Sequence, residues 1–190
     1  MNLPNLLTMI RMILVPVFVV FFYLGQGGAF VYSILAFAVF VFASATDAVD
    51  GYIARKKNLI TNFGKLMDPL ADKVLTTAAF IVFVDVGIIP AWMLIVILSR
   101  EFAITGLRGV AASEGVVIAA DLSGKLKTIF QMVAICVILL DVAVGQFYGA
   151  CSLEVFLSGA GTVLIWIALI LTVYSGIEYL WKGRKLLNLK

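Results

Sequence analysis

Six long apolar runs dominate the sequence. They cover residues 6–24, 30–45, 69–84, 88–98, 129–140 and 155–174. A helix needs about 20 apolar residues to cross the hydrocarbon core of a bilayer, so six such helices with their short connections use nearly all of the 190 residues. Because 63% of the chain is hydrophobic and only 13% is charged, a water-soluble fold could not bury this apolar surface. The sequence predicts an all-α integral membrane protein with six transmembrane helices in a single domain, 1–190.

The basic residues between the apolar runs predict the orientation of the helices. With six spans, one side receives the N-terminus and residues 55–65, 113–127 and 182–190, which carry ten lysines and arginines. The other side receives residues 25–29, 85–89 and 141–154, which carry none. Since basic residues accumulate on the cytoplasmic side, we expect both termini to be cytoplasmic. Arg11 lies inside the first run, which argues against a cleaved signal peptide.

Composition excludes several classes of function. The chain has no histidine, which excludes histidine-based catalysis and histidine-ligated metal sites. The net charge of +3 is small and dispersed, so nucleic acid is not an expected partner. Cys136 and Cys151 form no CxxC pattern, and we interpret both as structural residues.

Four aspartates stand out between the second and third runs, in the segment DAVDGYIARKKNLITNFGKLMDPLAD. Asp47 and Asp50 are three residues apart, and Asp68 and Asp72 are four apart, so each pair shares a helix face. One pair closes the second run and the other opens the third. An antiparallel helix pair would therefore bring all four carboxylates together near the cytoplasmic interface.

Four ionised carboxylates at one such site repel each other and are costly to desolvate. Either some of them are protonated, or a multivalent cation neutralises them. Oxygen ligands without histidine or cysteine suit hard ions such as Mg²⁺ or Mn²⁺, and two bridged ions would form the clamp used for phosphoryl transfer. Gly51 and Gly64 remove side chains beside the acidic pairs, and Arg55 can donate to a phosphate.

Further charges lie in the fourth and fifth segments. We expect the fourth helix to continue past Arg100 to about residue 112, and the fifth to start near Gly124. Arg108 and Lys125 would form a cationic pocket for an anionic acceptor, with Thr128 and Gln131 on the same side as Lys125. Two alternatives stay open: Arg100 can serve only as an ion-pair partner of Glu101 or Asp72, and Lys127 can be an ordinary cytoplasmic positive charge.

The acidic segment resembles the signature of the CDP-alcohol phosphatidyltransferases. The matching pattern is Asp47-x2-Asp50-Gly51-x2-Ala54-Arg55-x8-Gly64-x3-Asp68-x3-Asp72, with every fixed position present. The six-helix layout extends the resemblance over essentially the whole chain.

This resemblance implies a two-metal mechanism on a CDP-linked lipid. It assigns Asp47, Asp50, Asp68 and Asp72 as ligands of two divalent ions, Mg²⁺ or Mn²⁺, with Asp72 also the general base. It further implies CDP-lipid contacts for a second set of residues: Asn5, Thr8, Gly51, Ala54, Arg55, Thr61 and Gly64. Family members form homodimers, so the resemblance also implies a homodimer in a bacterial cytoplasmic membrane.

Flanking segments narrow the expected acceptor. Residues 2–11, 99–108 and 124–128 resemble the bacterial phosphatidylglycerophosphate synthase branch of the family. The resemblance implies CDP-diacylglycerol and sn-glycerol 3-phosphate as substrates, with the acceptor phosphate held by Arg100, Arg108, Lys125 and Lys127. Phosphatidylglycerol or inositol phosphate remains an alternative acceptor. A small transporter is disfavoured because the acidic cluster has no counterpart in the second half of the chain.

Overall fold

The computed structural model consists of six α-helices over the residues that it describes. The backbone is described for residues 3–56, 62–113, 122–149 and 151–187, and the side chains for 6–46, 70–71, 73–111, 122–149 and 151–181. In chain order the helices are α1 (Leu3–Gln26), α2 (Phe30–Lys56), α3 (Asn62–Asp85), α4 (Ala91–Ser113), α5 (Leu122–Tyr148) and α6 (Ser152–Leu187).

The predicted helix boundaries are confirmed on one side of the bundle and wrong on the other. Helix α4 continues past Arg100 to Ser113, and α5 starts at Leu122, two residues before the predicted Gly124. The predicted connection 141–154, however, is almost entirely helical. Helix α5 continues through Asp141 to Tyr148, and α6 begins at Ser152, so only three residues join them.

Three of the helices are long and apolar enough to cross a membrane among the described residues. They contain Leu6–Gln26, Leu122–Tyr148 and Ser152–Trp181, and the apolar helix Phe30–Thr46 is shorter. Large apolar side chains on their outer faces are exposed, including Ile13, Val20 and Ile170. An apolar exterior of this kind suits lipid rather than water. The chain is therefore a membrane protein, and the six spans stay a prediction.

Aromatic and aliphatic side chains from all six helices form the core. Phe18 of α1 lies with its ring centroid 5.7 Å from that of Phe40 of α2, and Phe22 lies 5.9 Å from Phe83 of α3. Leu139 of α5 is also buried in this cluster. Helix α1 packs most extensively on α2, and α5 on α6, with α4 packed on α6.

Polar contacts fix the end of the bundle at which α1 joins α2 and α3 joins α4, here called the turn end. The hydroxyl of Tyr23 in α1 donates to Asp85 at the end of α3 over 2.7 Å. The hydroxyl of Ser33 in α2 donates to the side-chain oxygen of Gln146 in α5. The end of α2 and the start of α3, which carry the acidic segment, therefore lie at the opposite end.

Gly25 permits the close approach of α1 and α2 at the turn end. A Cβ atom at Gly25 would lie 3.1 Å from the backbone nitrogen of Ser33 and 3.3 Å from its Cα, and would also overlap its hydroxyl. Backbone atoms cannot move aside cheaply. We expect Gly25→Ala to lower the free energy of unfolding by about 1–3 kcal/mol, measured as a lower thermal midpoint in detergent.

Gly159→Ala in α6 is the matched control for this prediction. Its Cβ would meet no described atom within 4 Å outside its own stretch of helix, and alanine favours a helix by about 1 kcal/mol over glycine. Its thermal midpoint should be unchanged or higher. Equal midpoints for the two variants would contradict the close contact of α1 and α2 at Gly25.

Candidate active site

A cavity of about 400 Å³ opens among α3, α4, α5 and α6 at the end opposite the turn end. We call it the acceptor pocket. Among the described residues, its charged lining comprises five cations and one carboxylate: Lys73, Arg100, Arg108, Lys125, Lys127 and Glu101. This excess of positive charge suits an anion, and the role of the pocket in binding an acceptor stays a prediction.

Arg108 is held by the last described turns of α6. Its Nε donates to the hydroxyl of Tyr179 over 3.0 Å, and its Nη2 donates to the same oxygen over 2.5 Å. Tyr179 is only 2% exposed, so this phenol is a fixed support. Arg108 lies at the pocket wall, where its guanidinium has further donors for a ligand.

Arg100 donates hydrogen bonds to side chains of two helices, α4 and α6. Its Nη1 donates to Glu101 over 3.0 Å, and its Nη2 donates to the hydroxyl of Ser175 over 3.0 Å. Its Nε is buried and has no hydrogen-bond partner among the described residues. Of the two predicted roles of Arg100, the ion pair with Glu101 is thus present, while the residue also lines the pocket.

Small residues make space for the Arg100 side chain. A Cβ atom at Gly176 in α6 would lie 3.1 Å from Cγ of Arg100, and one at Gly124 in α5 would lie 3.5 Å from its Nη2. Helix α6 therefore approaches the Arg100 side chain of α4 closely at Gly176. The distance at Gly124 of α5 is an ordinary van der Waals contact.

The two lysines of α5 differ in environment. Lys127 is 2% exposed and forms an ion pair with Glu101 of α4, which is more than an ordinary surface charge. Lys125 also lines the pocket, and its side chain is exposed. Thr128 lines the pocket as predicted, whereas Gln131 lines a neighbouring apolar cavity of about 350 Å³ between α3, α4 and α5.

Lys73 connects the acceptor pocket to the helix that carries half of the acidic segment. It follows Asp72 directly in α3, and its Nζ donates to the hydroxyl of Thr105 in α4. Since Lys73 and Thr105 both line the pocket, the turn of α3 around residue 73 lies beside it. Sequence reasoning missed Lys73, Glu101 and Tyr179 as pocket residues; only the adjacency of Lys73 to Asp72 was a usable signal.

Residues 47–56 of the acidic segment form the last turns of α2, and residues 62–72 form the first turns of α3. The side chains of most of the predicted catalytic and nucleotide-binding residues lie outside the described residues, so their arrangement stays a prediction. These residues are Asn5, Asp47, Asp50, Gly51, Ala54, Arg55, Thr61, Gly64, Asp68 and Asp72. Thr8 is described, and its side chain is buried in α1 at 1% exposure.

Residues 1–174 match the family model described as CDP-alcohol phosphatidyltransferase. The match covers all six apolar runs and the acidic segment. The chain therefore belongs to the CDP-alcohol phosphatidyltransferase family, and the resemblance inferred from the sequence is confirmed.

Curated relatives carry a more particular name. A CDP-diacylglycerol--glycerol-3-phosphate 3-phosphatidyltransferase of Bacillus subtilis (strain 168) is 42% identical over 98% of this chain and 99% of its own length. One of the same name from Rickettsia typhi is 38% identical over 94% of each chain. A probable phosphatidylglycerophosphate synthase of Mycobacterium tuberculosis is 37% identical over 94% of this chain and 79% of its own.

Proposed function

We propose that this membrane protein transfers the phosphatidyl group of CDP-diacylglycerol to sn-glycerol 3-phosphate, giving phosphatidylglycerophosphate and CMP. The observation that carries the proposal is the acceptor pocket, whose described lining, with five cations and one carboxylate, lies beside the α3 turn that follows Asp72. An anionic alcohol suits this pocket, because paired cationic donors bind phosphate oxygens strongly. The names of the relatives from Bacillus subtilis and Rickettsia typhi support the same reaction.

The donor set of the acidic segment fits a pair of hard divalent ions. It offers four carboxylates and no histidine or cysteine, which is the ligand chemistry of Mg²⁺ and Mn²⁺. Asp47 and Asp50 of α2 with Asp68 and Asp72 of α3 would hold the two ions. When bound, such ions neutralise charge on the pyrophosphate of the lipid nucleotide.

In the proposed reaction, Asp72 removes the proton from the primary hydroxyl of glycerol 3-phosphate. The freed oxygen attacks the phosphorus that bears the diacylglycerol, and the bond from that phosphorus to CMP breaks. Arg55 donates to the nucleotide phosphates, and Gly51 and Gly64 leave room for them. Arg108, Lys125, Lys127 and Arg100 hold the acceptor phosphate so that its hydroxyl faces Asp72, and positioning of this kind accounts for much of phosphoryl-transfer catalysis.

The membrane arrangement is part of the same proposal. All six helices span the cytoplasmic membrane of a bacterium, with both termini and the active site on the cytoplasmic side. The complete asymmetry of lysine and arginine between the two sets of connections supports this orientation. Residues 1–190 form one catalytic domain, and two copies form a homodimer.

A panel of acceptors tests the proposed function. Purified protein in detergent receives CDP-diacylglycerol and Mg²⁺ with glycerol 3-phosphate, inositol phosphate, phosphatidylglycerol or no acceptor, and CMP release is measured. We expect release with glycerol 3-phosphate alone. Release only with inositol phosphate or phosphatidylglycerol would keep the reaction class and overturn the assigned acceptor. If the folded protein releases no CMP with any of the acceptors, the proposal is overturned.

Replacing Arg108 tests the acceptor pocket. We expect Arg108→Ala to raise the KM for glycerol 3-phosphate by about 10- to 100-fold, because one charge-assisted contact to phosphate is lost. The KM for CDP-diacylglycerol should stay within about twofold, since this group binds the acceptor alone. Steady-state kinetics of CMP release measures both constants.

Arg108→Lys is the control for the same position. It keeps the charge but loses the planar fork of donors, including the pair that Tyr179 accepts. Its KM for glycerol 3-phosphate should fall between those of the wild type and Arg108→Ala. An unchanged KM in Arg108→Ala would remove this residue from the acceptor site.

A further inference from the structure

We infer that Glu101 is a positioning residue for acceptor binding: its carboxylate holds the Lys127 ammonium and the Arg100 guanidinium where they meet the acceptor phosphate. This inference rests on the proposed function, because it assigns a role within the acceptor pocket. Glu101 itself is negative and repels the substrate, so its role is indirect.

Three cations converge on this one carboxylate. Oε1 of Glu101 accepts a hydrogen bond from Nη1 of Arg100 over 3.0 Å and a second from Nζ of Lys127. Oε2 lies 4.0 Å from Nζ of Lys73. The three cations come from α3, α4 and α5, so Glu101 links three of the four helices that line the pocket.

Burial makes Lys127 dependent on Glu101. The side chains of Lys127, Arg100 and Glu101 are 3%, 11% and 18% exposed. A buried ammonium without a counter-charge is strongly unfavourable, and Glu101 is the carboxylate that forms an ion pair with Lys127 in the described part of the chain. Without the carboxylate, Lys127 would leave its position in the pocket wall.

The pocket keeps unmatched positive charge even with Glu101 present. Among the described residues, one carboxylate faces five cations, so positive charge there exceeds negative charge and favours an incoming anion. Arg100 also keeps a buried Nε without a hydrogen-bond partner among the described residues. Glu101 thus holds Arg100 and Lys127 in place while leaving donors and charge for a phosphate dianion.

Glu101 and Lys127 also stand between two cavities. Both line the acceptor pocket and the neighbouring apolar cavity, whose other lining includes Phe80, Ile81 and Ile97. An ammonium released from Glu101 on that side would face apolar side chains rather than water. The ion pair therefore keeps the cation of Lys127 directed to the polar pocket.

Steady-state kinetics of Glu101→Gln tests this inference. We expect the KM for glycerol 3-phosphate to rise about tenfold or more, with the KM for CDP-diacylglycerol changed less than about twofold. Glu101→Asp keeps the charge at shorter reach and should recover part of the loss. Glu154→Gln, the same exchange near the turn end, is the matched control and should leave both constants unchanged.

Lys127→Gln and the double variant with Glu101→Gln separate positioning from a general structural effect. If Glu101 acts through Lys127, the double variant should raise the KM little beyond the larger single effect, because the two residues form one unit. If the two single-variant increases in KM instead multiply in the double variant, the inference is overturned. A lower kcat of Glu101→Gln with an unchanged KM for glycerol 3-phosphate would also overturn it. Size-exclusion profiles report folding, and if Glu101→Gln does not fold, an unchanged KM in Glu101→Asp overturns the inference.

The wild-type protein in the same assay separates a failure of the proposed function from a failure of the role assigned to Glu101. If it releases no CMP with glycerol 3-phosphate, the proposed function fails. If it does, and Glu101→Gln has a wild-type KM, only the role of Glu101 fails.

Discussion

Asp72→Asn is expected to lower kcat for CMP release by about 10²- to 10⁴-fold, the usual contribution of a general base. An amide cannot take the proton from the attacking hydroxyl, but its oxygen can still bind a metal ion. Binding of CDP-diacylglycerol should therefore change by less than about threefold, since the other three aspartates remain. Single-turnover CMP release measures the rate of the chemical step, and an equilibrium binding experiment measures the affinity for CDP-diacylglycerol.

Asp85→Asn is the matched control for this experiment. Asp85 closes the same helix α3 at the turn end, where it accepts a hydrogen bond from Tyr23. The amide oxygen of asparagine can still accept this hydrogen bond, so we expect Asp85→Asn to leave kcat unchanged. Near-normal turnover in Asp72→Asn would show that another group is the base.

Removal of divalent ions is expected to abolish CMP release completely. Without cations, the four carboxylates of the acidic segment repel each other and the pyrophosphate, and the charge that develops on departing CMP has no counter-charge. Dialysis against EDTA should reduce the rate to background, and Mg²⁺ or Mn²⁺ should restore it. The measurement is the initial rate of CMP release at each added ion concentration.

EDTA saturated with Mg²⁺ beforehand is the control, and it should leave the rate unchanged. This control separates chelation from an effect of EDTA on detergent or lipid. Full activity after exhaustive chelation, in protein shown to be metal-free by elemental analysis, would contradict the two-metal proposal.

The sequence predicted the fold class because apolar run length is a local property. Helix α4 ends at Ser113, one residue after the predicted residue 112, and α5 begins at Leu122, two residues before the predicted Gly124. The connection 141–154 was misjudged because Asp141 interrupts the apolar run without ending the helix. Gln146, one turn farther, accepts a hydrogen bond from Ser33 of α2, and such a tertiary contact has no local signal.

In the acceptor pocket, too, some features could be predicted from the sequence and others could not. Its charged residues could be found in the sequence, since Arg100 and Arg108 interrupt an apolar segment and intramembrane charges mark functional sites. Their partners could not, because Ser175 and Tyr179 are 75 and 71 residues away. The role of Glu101 also required the fold, as its partner Lys127 is 26 residues away on another helix.

The central claim is the transfer of a phosphatidyl group to glycerol 3-phosphate, and isotope transfer tests it most directly. Purified protein would be incubated with CDP-diacylglycerol, Mg²⁺ and glycerol 3-phosphate labelled in its carbon atoms, and the extracted lipid analysed by mass spectrometry. We expect labelled phosphatidylglycerophosphate in an amount equal to the CMP released, and none with Asp72→Asn on the same timescale. Release of CMP without label in the lipid would contradict the transfer to glycerol 3-phosphate.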